Sequence, residues 1–367
     1  MARTETTIAA PIDPAQAGAF LQRFMGDISG SAVTTMCAVG DRLGLFGALA
    51  AAGRSSSEEL AARLGLTERY VREWLLTLHS AGYLDSEVDP STGATTYTLP
   101  PAHAAVLVDG SPLYMGGVAR LLPTLGVLLG EVVEGFRSGS GIDVDRYPPE
   151  FFHTMWRMSE LWLDAMLVDQ WIPAVDGLAE QLRTGVDVAH LSSGSGRALI
   201  LLAEAFPESR FVGFDRVPAN VAHAREMAHR AGVADRVRFE VGDGVDALTT
   251  GRFPLVLALD VLHDALDITA TLTAVAGTLG PDGVFLLLET DCAERPEENR
   301  GAAASLFYST STLYSVPIAL AAGGEALGMM GLPPGRLRSL CADAGLSTMR
   351  TLMHPIPTFN TLYAIGA

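Results

Sequence analysis

One stretch, residues 186–215, constrains the fold more than any other part of the chain. It begins with the apolar run VDVAHL at 186–191 and continues through a small-residue turn, SSGSG, at 192–196. A helical pattern follows, and a second apolar run at 211–214 ends in Asp215. The order predicts strand, turn, helix and strand. A small-residue turn lets a ligand approach the backbone, and the later acid can accept hydrogen bonds from both hydroxyls of a ribose.

The spacing of the turn indicates which kind of nucleoside cofactor it suits. A dinucleotide site needs the pattern G-x-G-x-x-G, so that a pyrophosphate can lie on the N-terminus of the helix. This turn reads Ser192-x-Gly194-x-Gly196, and Arg197 follows. It is closer to the acid-x-G-x-G-x-G turn of enzymes that use S-adenosylmethionine (SAM), a cofactor without phosphate.

Further segments follow in the order of a parallel sheet whose strands alternate with helices. VGDG at 241–244 follows a third strand, LVLALD at 255–260 forms a fourth, and GVFLLLE at 283–289 forms a fifth. With these motifs, residues 180–367 resemble a class I SAM-dependent methyltransferase. The chain is similar in particular to bacterial small-molecule methyltransferases that carry an N-terminal winged helix. The predicted fold is therefore a Rossmann-like, doubly wound α/β methyltransferase domain with an N-terminal α-helical winged-helix domain.

The sequence divides into four predicted segments. Residues 1–14 are expected to form a disordered tail, and 15–110 a winged-helix dimerisation domain. Residues 111–180 are expected to form a helical linker with substrate-pocket helices, and 181–367 the SAM-binding catalytic domain.

The winged helix is predicted from local start and stop signals. A helical stretch from 19 to 52 is expected to break near 26–30, where two glycines occur. Ser56 and Glu59 form a capping box for a helix at 58–64, and a second helix follows at 68–81. A hairpin at 83–99 completes the unit.

Charge argues against nucleic acid as the partner of this winged helix. The chain has 25 basic and 42 acidic residues, so its net charge is −17. The second helix carries Arg69 and Arg72 beside Glu68 and Glu73, and the tip of the hairpin has no basic residue. The resemblance implies instead a homodimer whose N-terminal domain closes over the active site. A ligand-sensing winged-helix regulator is a less favoured alternative.

Composition also bears on the compartment. The three cysteines, Cys37, Cys292 and Cys341, form no CxxC pair, which fits a reducing compartment better than a disulfide framework. The N-terminus lacks a signal-peptide pattern, and no apolar run is expected to span a bilayer. The predicted location is cytoplasmic, without a membrane partner.

The resemblance implies a set of cofactor-binding residues. Asp215 is expected to bind the ribose hydroxyls, and Asp243 the amino group of the adenine. For Asp215 a solvated acid at a strand end, and for Asp243 a helix N-cap, remain alternatives. The remaining positions that match the cofactor-binding motifs are His190, Ser192, Gly194, Gly196, Gly244 and Asp260.

The turn departs from the family pattern at two positions. His190 stands where the family has an acid that helps to hold the SAM ammonium, and Ser192 stands where it has glycine. Pro254 also removes an amide at the start of the fourth strand. These changes leave open an enzyme of this fold, such as a cyclase or pericyclase, that no longer transfers methyl groups.

His263 is the candidate base, because the resemblance places it after the fourth strand beside the cofactor's methyl group. Glu289 matches the family residue that steadies the ring, and a carboxylate on one nitrogen strengthens the other as a base. Asp264 completes the predicted catalytic set. Local hydrogen bonding alone is an alternative for His263. A metal held by His263 and Asp264 is another, but no third histidine is evident, so no metal is predicted.

The substrate is expected to be a small, mostly apolar molecule. The helix predicted at 150–168 carries a stripe of Met and Trp that is either core or pocket wall. An insertion at 296–332 is expected to act as a lid or a pocket wall. The predicted pocket residues are Met155, Trp156, Trp162, Phe307 and Tyr308. The sequence thus predicts SAM-dependent methylation of a secondary metabolite such as an antibiotic precursor. O-methylation with His263 as base is the favoured reaction, and methylation at carbon or nitrogen remains an alternative.

Overall fold

The computed structural model describes residues 11–111, 113–352 and 359–366. The chain forms two compact units, residues 1–123 and 124–367. Of the predicted tail, residues 1–10 lie outside the described residues. Pro14, predicted to belong to the tail, instead begins the first helix, because the Asp13 side chain accepts hydrogen bonds from the first free amides.

Unit 1 is a helical domain with one small hairpin. Its elements are α1 (Pro14–Arg42), α2 (Leu45–Ala52), α3 (Ser57–Leu64), α4 (Glu68–Ser80), β1 (Asp85–Val88), β2 (Thr95–Thr98) and α5 (Pro101–Leu107). The predicted capping box is confirmed, since Ser56 and Glu59 exchange both hydrogen bonds at the start of α3. The buried side chains of α1–α4 and of the hairpin form one apolar core, so the predicted winged helix is confirmed.

The predicted break at residues 26–30 is wrong, because α1 runs through it without interruption. Glycine inside a helix costs about 1 kcal/mol relative to alanine but does not terminate it. The helix ends instead before Gly44, which adopts φ +68° and so reverses the chain into α2.

One finding differs from the expectation for membrane spans. By length and composition, the helical run Gly116–Ser138 is apolar enough to cross a bilayer, and the bent pair α1–α2 also passes when it is taken as one span. Only 33% of the most apolar window of Gly116–Ser138 is buried. One or two such helices are weak support for a membrane span, since core helices of soluble proteins pass the same test.

Unit 2 alternates helices and strands. A helix α6 (Leu121–Leu125) crosses the boundary between the units, and the remaining helices and strands follow in chain order. They are α7 (Leu129–Ser138), α8 (Pro149–Met166), α9 (Leu178–Thr184), β3 (Asp187–Leu191), α10 (Arg197–Ala205), β4 (Arg210–Asp215), α11 (Pro218–Arg230), β5 (Val237–Val241), α12 (Val245–Thr250), β6 (Leu255–Leu259), α13 (Ile268–Thr278), β7 (Val284–Thr290), α14 (Ala302–Thr310), α15 (Val316–Ala321), α16 (Pro334–Asp343), β8 (Thr348–Leu352) and β9 (Asn360–Gly366). One π-helical turn follows α8 at Leu167–Trp171, and another joins α14 to α15 at Ser311–Ser315.

The strands of unit 2 form a seven-stranded sheet in the order β5-β4-β3-β6-β7-β9-β8. The first five strands in this order are parallel, and β9 runs antiparallel to both β7 and β8. The order reverses between β3 and β6, and ligands of open α/β sheets bind at the carboxyl ends of the strands beside such a reversal. The predicted doubly wound sheet with its antiparallel finish is confirmed.

The strands are almost continuously apolar because both faces of the sheet are covered. One face packs against α8, α10 and α11, with Leu199 and Phe239 in its core. The other face packs against α13 and α16, with Val256 and Leu337 in its core. Two buried faces hold the carboxyl ends of the strands in a rigid row, which positions the site described next.

Candidate functional site

The turn after β3 has an unusual backbone. Ser192, Gly194 and Gly196 all have positive φ, at 50°, 55° and 77°. Glycine adopts this region without strain, but a side chain does so at a cost of about 1–2 kcal/mol, so Ser192 is strained. The sequence marked Ser192 as a departure from glycine, and the dihedral angle shows that the position does have the conformation that favours glycine.

Asp215 holds this turn against the end of β4. Its Oδ2 accepts a hydrogen bond from the Gly194 amide at 2.9 Å, and its Oδ1 accepts from the Val217 amide at 2.9 Å and from Asn220 Nδ2 at 3.1 Å. The carboxylate is only 6% exposed, and burial raises its pKa against the opposing effect of these donors. Asp215 therefore shapes the turn itself, a role that the sequence did not reveal, and its role in ribose binding stays a prediction.

Two glycines allow the close packing around this turn. A Cβ on Gly196 would lie 2.5 Å from the Phe239 ring, and a Cβ on Gly213 would lie 2.7 Å from the Ser193 hydroxyl. Both positions thus need glycine for space, and Gly196 needs it for its backbone as well. The small residues of the turn serve helix packing as much as ligand approach.

His190 lies inside the sheet rather than at a solvent-facing position. The residue is 4% exposed, and neither ring nitrogen has a hydrogen-bond partner among the described residues. Burial lowers the pKa of its imidazole to about 3, so the ring is neutral at physiological pH. It is also absent from the residues that line the cavity described next, and its predicted contact with a cofactor stays a prediction.

A cavity of about 210 Å³ opens at the carboxyl ends of β3–β6. Ser192 lines it beside the turn, and Asp243 and Asp264 line it from the segments after β5 and β6. Arg216, which directly follows Asp215, lines it as well and donates from Nη2 to the Asp264 carbonyl oxygen at 3.2 Å. The cavity thus lies at the place that the strand order indicates for a ligand.

Asp243 has a partly free carboxylate at the rim of this cavity. It is exposed, and its Oδ1 accepts from the Val245 amide at 3.1 Å at the start of α12. Its neighbour Gly244 has φ +84°, and a Cβ there would lie 2.7 Å from the Phe214 ring. Gly244, not Asp243, is the N-cap of α12, and within the described ranges Asp243 accepts only from the amide of the first helical residue. Asp243 retains a second oxygen for a ligand.

His263 and Glu289 form a buried pair between the segment after β6 and the end of β7. His263 Nδ1 lies 2.5 Å from Glu289 Oε1, and the His263 amide donates to Glu289 Oε2 at 3.2 Å. The two residues are 3% and 1% exposed. Burial favours the neutral ring, but the charges of Glu289 and Asp264 outweigh it and raise the pKa of His263 to about 10. The predicted pairing of His263 with Glu289 is therefore present.

Asp260 joins the same cluster from the end of β6. It has φ +61°, and its Oδ1 accepts from Asn360 Nδ2 at 2.6 Å and from the Thr290 hydroxyl at 3.2 Å. Burial raises its pKa to about 6. Ligand atoms of Asp260, His263 and Glu289 lie within 4.8 Å of one another, a spacing that could hold a metal ion. Within this cluster Asp260 Oδ1, both carboxylate oxygens of Glu289 and His263 Nδ1 already take part in hydrogen bonds.

The predicted substrate-pocket residues do not all lie together. Trp156 stacks on His223 of α11 with the ring centroids 4.3 Å apart, and its ring reaches to 3.8 Å from the position of a Cβ on Gly194. Met155 is partly buried on the same helix, and Trp162 packs against the core. On α8, Trp156 thus lies beside the turn and Trp162 lies against the apolar core. The two interpretations of this stripe therefore apply to different residues of the same helix.

The two aromatic residues predicted in the insertion lie toward its surface. Phe307 packs edge-on against Phe359, which is 46% exposed. The Tyr308 hydroxyl, on a side chain that is 38% exposed, donates to the Pro296 carbonyl oxygen at 3.3 Å. Tyr314 instead packs inward against Phe151, with the ring centroids 4.4 Å apart.

Sequence reasoning missed several residues that shape this site. Arg216 follows the predicted acid directly, and that adjacency was a usable signal. Asn220 and His223 lie on α11 and Asn360 lies on β9, and none of the three belongs to a motif that the sequence singled out. Their contacts depend on how helices and strands pack, which spacing along the chain does not encode.

The two arginines of α4 are paired within that helix. Arg69 forms an ion pair with Glu73, and Arg72 donates to both carboxylate oxygens of Glu68 at 2.8 and 2.9 Å. A DNA-reading helix presents unpaired cations to phosphate. This helix presents neutralised pairs at these two positions, as the sequence suggested.

Comparison with known proteins identifies both domains. A family profile for an Rv2258c-like winged HTH domain matches residues 31–109, and one for a methyltransferase domain matches residues 182–325. The N-terminal domain thus matches a winged HTH domain and the C-terminal domain matches a methyltransferase domain, as the sequence motifs implied.

Solved structures show the same fold over almost the whole chain. Human N-acetylserotonin methyltransferase in complex with SAM is 19% identical, with a TM-score of 0.64 and coverage of 98% of this chain and 100% of that one. The mitomycin 7-O-methyltransferase is 21% identical, with a TM-score of 0.62 and coverage of 96% and 99%. A methyltransferase of calicheamicin biosynthesis, bound to S-adenosylhomocysteine (SAH), is 18% identical, with a TM-score of 0.65 and coverage of 97% and 100%.

A curated relative matches over a shorter range. An uncharacterized protein of Synechococcus sp. is 33% identical over 93 residues, which make up 25% of this chain and 22% of that protein. The chain thus spans about a fifth of the length of the curated relative that it matches.

Proposed function

We propose that this protein is a SAM-dependent methyltransferase that acts on a small, mostly apolar metabolite. The observation that carries the proposal is the cavity at the carboxyl ends of β3–β6, with the left-handed turn on one side and Asp243 and Asp264 on the other. Similar structures that contain SAM or SAH support the choice of cofactor.

The residues around the cavity fit an adenosyl group. We expect Asp243 to offer a carboxylate oxygen to the adenine amino group, and Asp215, at the end of β4, to bind the ribose hydroxyls. The remaining residues proposed for the cofactor side are His190, Ser192, Gly194, Gly196, Gly244 and Asp260. When bound, SAM would supply an electrophilic methyl group, and the protein would contribute chiefly by orienting the acceptor beside it.

The acceptor is proposed to be a hydroxyl group. The Glu289–His263–Asp264 cluster is the proton-handling group next to the cavity, and His263 is the residue that the sequence predicts as its base. Two of the similar proteins are named for mitomycin and calicheamicin, which supports a secondary metabolite as the substrate class. Trp156, with Met155, Trp162, Phe307 and Tyr308 as further predicted residues, would provide apolar contacts.

A calorimetric titration with SAM and with SAH tests the cofactor. We expect one site per chain, with a Kd in the range of about 1 µM to 1 mM that is usual for enzyme substrates. Asp215→Ala should weaken binding by roughly 2 kcal/mol or more, since a charged acceptor is lost. Asp187→Ala, at the opposite end of β3, is the matched control and should bind as the parent does.

The outcomes separate the possible functions. Absence of binding by the parent protein contradicts the proposal. Binding without release of SAH on any acceptor favours an enzyme of this fold that no longer transfers methyl groups. Retention of random duplex DNA at physiological salt would favour the regulator instead.

We also propose that the protein is a homodimer formed through unit 1. Residues 14–32 of α1 are exposed throughout, and they include Phe20, Phe24 and Ile28, spaced four residues apart on one helix face. Large apolar side chains on a helix that projects from its domain call for a covering partner. A second copy of the chain fits the winged-helix relatives best.

A further inference from the structure

Arg216 is the one basic residue among the described residues that line the cavity. The other charged residues of the lining are all acids, namely Asp243, Asp246, Asp264 and Asp267. Carboxylates at the wall of a cavity favour a cationic ligand, whereas a guanidinium, which stays charged at physiological pH, opposes one. Arg216 therefore acts on the charge preference of the cavity in the direction opposite to the acids.

The side chain of Arg216 crosses the edge of the sheet at which the ligand is expected. Arg216 directly follows β4, and its Nη2 donates at 3.2 Å to the Asp264 carbonyl oxygen, which belongs to the segment after β6. In the sheet, β3 lies between β4 and β6. A side chain that joins these two segments therefore crosses the carboxyl end of β3, where Leu191 and Ser192 line the same cavity.

No ion pair neutralises Arg216 in the part of the chain that the structure describes. The Asp264 carbonyl oxygen carries no net charge, so its hydrogen bond leaves the charge of the guanidinium in place. Arg197, at the start of α10 beside the same turn, is by contrast paired with Asp164 at 2.6 Å. Arg216 is also partly buried, where water and salt screen a charge less than they do in bulk solution. A ligand in the cavity would therefore experience this charge.

We propose that Arg216 sets the preference of the site between SAM and SAH by opposing the positive charge on the sulfur of SAM. This inference rests on the proposed cofactor. The two molecules share the adenosyl and amino-acid groups, but SAM is a sulfonium cation, whereas the sulfur of SAH is a neutral thioether. Arg216 is thus a specificity-determining residue that weakens the binding of SAM relative to SAH.

Coulomb's law gives the size of the effect. A unit charge about 8 Å from a sulfonium changes its affinity by roughly threefold to thirtyfold over the effective dielectric constants found near a protein surface. The same charge has little effect on a thioether. Arg216 therefore raises the ratio of the Kd for SAM to the Kd for SAH, and the activity of the protein would be sensitive to its own product.

Calorimetric titration of each variant with SAM and with SAH measures this ratio. In Arg216→Gln and Arg216→Met, which remove the charge, we expect the ratio to fall by about threefold or more. In Arg216→Lys, which keeps a charge but not the planar fork of donors, it should stay within about twofold of the parent's. A merely structural role would change both affinities together and leave the ratio unchanged.

Two further variants are controls. Arg252 also donates to a backbone carbonyl oxygen, that of Gly277 at 3.0 Å, but it is not one of the residues that line the cavity. Arg252→Gln should therefore have the ratio of the parent. Asp246→Asn removes an acid of the lining, so its ratio should change in the direction opposite to that of Arg216→Gln.

The results that contradict the inference differ from those that contradict the proposed function. An unchanged ratio in both Arg216→Gln and Arg216→Met would overturn the inference and leave the proposed cofactor in place. Loss of SAM binding in both variants would also overturn it, because the removal of an opposing charge cannot weaken the binding of a cation. A parent protein that binds neither SAM nor SAH would contradict the proposed function, and the inference with it.

Discussion

At the scale of single residues, Ser192 combines a strained backbone with a place at the cavity wall. Its φ of 50° is one that glycine adopts more easily. We expect Ser192→Gly to stabilise the fold by up to about 1 kcal/mol, because relief of left-handed strain exceeds the added chain entropy. Urea unfolding measures this difference.

Ala326, with φ 52°, is the matched control outside the cavity lining. Ala326→Gly should stabilise the fold by a similar amount without a change in SAM affinity, whereas Ser192→Gly should also tighten SAM binding. A Ser192→Gly protein that is less stable than the parent would show that its hydroxyl makes a contribution larger than the strain.

The buried ring of His190 predicts acid sensitivity. Its pKa falls from 6.5 to about 3 on folding. Between these two pH values the unfolded chain therefore binds a proton on His190 that the folded chain does not bind. The stability that follows from the neutral ring is complete above about pH 6.5 and is lost as the pH falls toward 3, at up to about 1.4 kcal/mol per pH unit. Unfolding of the parent and of His190→Leu at pH 7.5 and pH 5 tests this, and equal pH dependence would refute it.

The burial of His190 also changes what we expect when residue 190 is replaced by the acid that the family has at this position. In His190→Asp a carboxylate would enter the interior where the parent's ring has no polar partner within the described part of the chain, and burial of an unpaired charge is strongly unfavourable. We therefore expect the variant to be less stable at pH 7.5, as measured by its thermal midpoint, unless SAM binding compensates.

At the scale of elements, the start of α10 is held against β5 and α11 through Gly196. A Cβ there would meet the Phe239 ring at 2.5 Å and Ala224 at 2.9 Å, and φ is +77°. Gly232, with φ +72° and open space around it, isolates the backbone effect. We expect Gly232→Ala to cost about 1 kcal/mol and Gly196→Ala about 1–3 kcal/mol more, because overpacking adds to the strain.

Chemical denaturation of the two alanine variants measures that difference in unfolding free energy. Equal destabilisation would mean that Phe239 moves aside freely and that the glycine of this turn serves only its backbone. Gly196→Ala should also weaken SAH binding, since displacement of the start of α10 moves the turn that lines the cavity.

At the scale of the whole molecule, the exposed face of α1 predicts assembly. Phe20 and Phe24 are 66% and 51% exposed and stack with centroids 6.2 Å apart. Sedimentation at micromolar concentration should show twice the chain mass, and the double change Phe20→Glu, Phe24→Glu should give monomers, since charges cannot be buried unpaired. Tyr70→Glu, at an 80% exposed site on α4, is the control and should remain dimeric. A monomeric parent would contradict the prediction.

Local sequence patterns were sufficient to predict the strands, the capped helix and the position of the cavity. The apolar runs at 187–191 and 255–259 specify buried parallel strands, and the acids that follow such runs must collect at one edge of the sheet. The capping box at Ser56 likewise depends only on residues three apart. These features follow from the sequence because the periodicity of a strand and the orphan amides of a helix are properties of the local backbone.

Only the tertiary structure decided what each polar side chain contacts. The Asp215 carboxylate binds the Gly194 amide, and Asp264 rather than His263 lines the cavity. His190 lies inside the sheet with no hydrogen-bond partner for its ring in the described ranges. The reason is physical: the sequence determines that a carboxylate or an imidazole stands at a strand end, whereas its burial and partners come from elements 20 to 100 residues away. Desolvation and neighbouring charges, which set the protonation of these groups, exist only once those elements have packed.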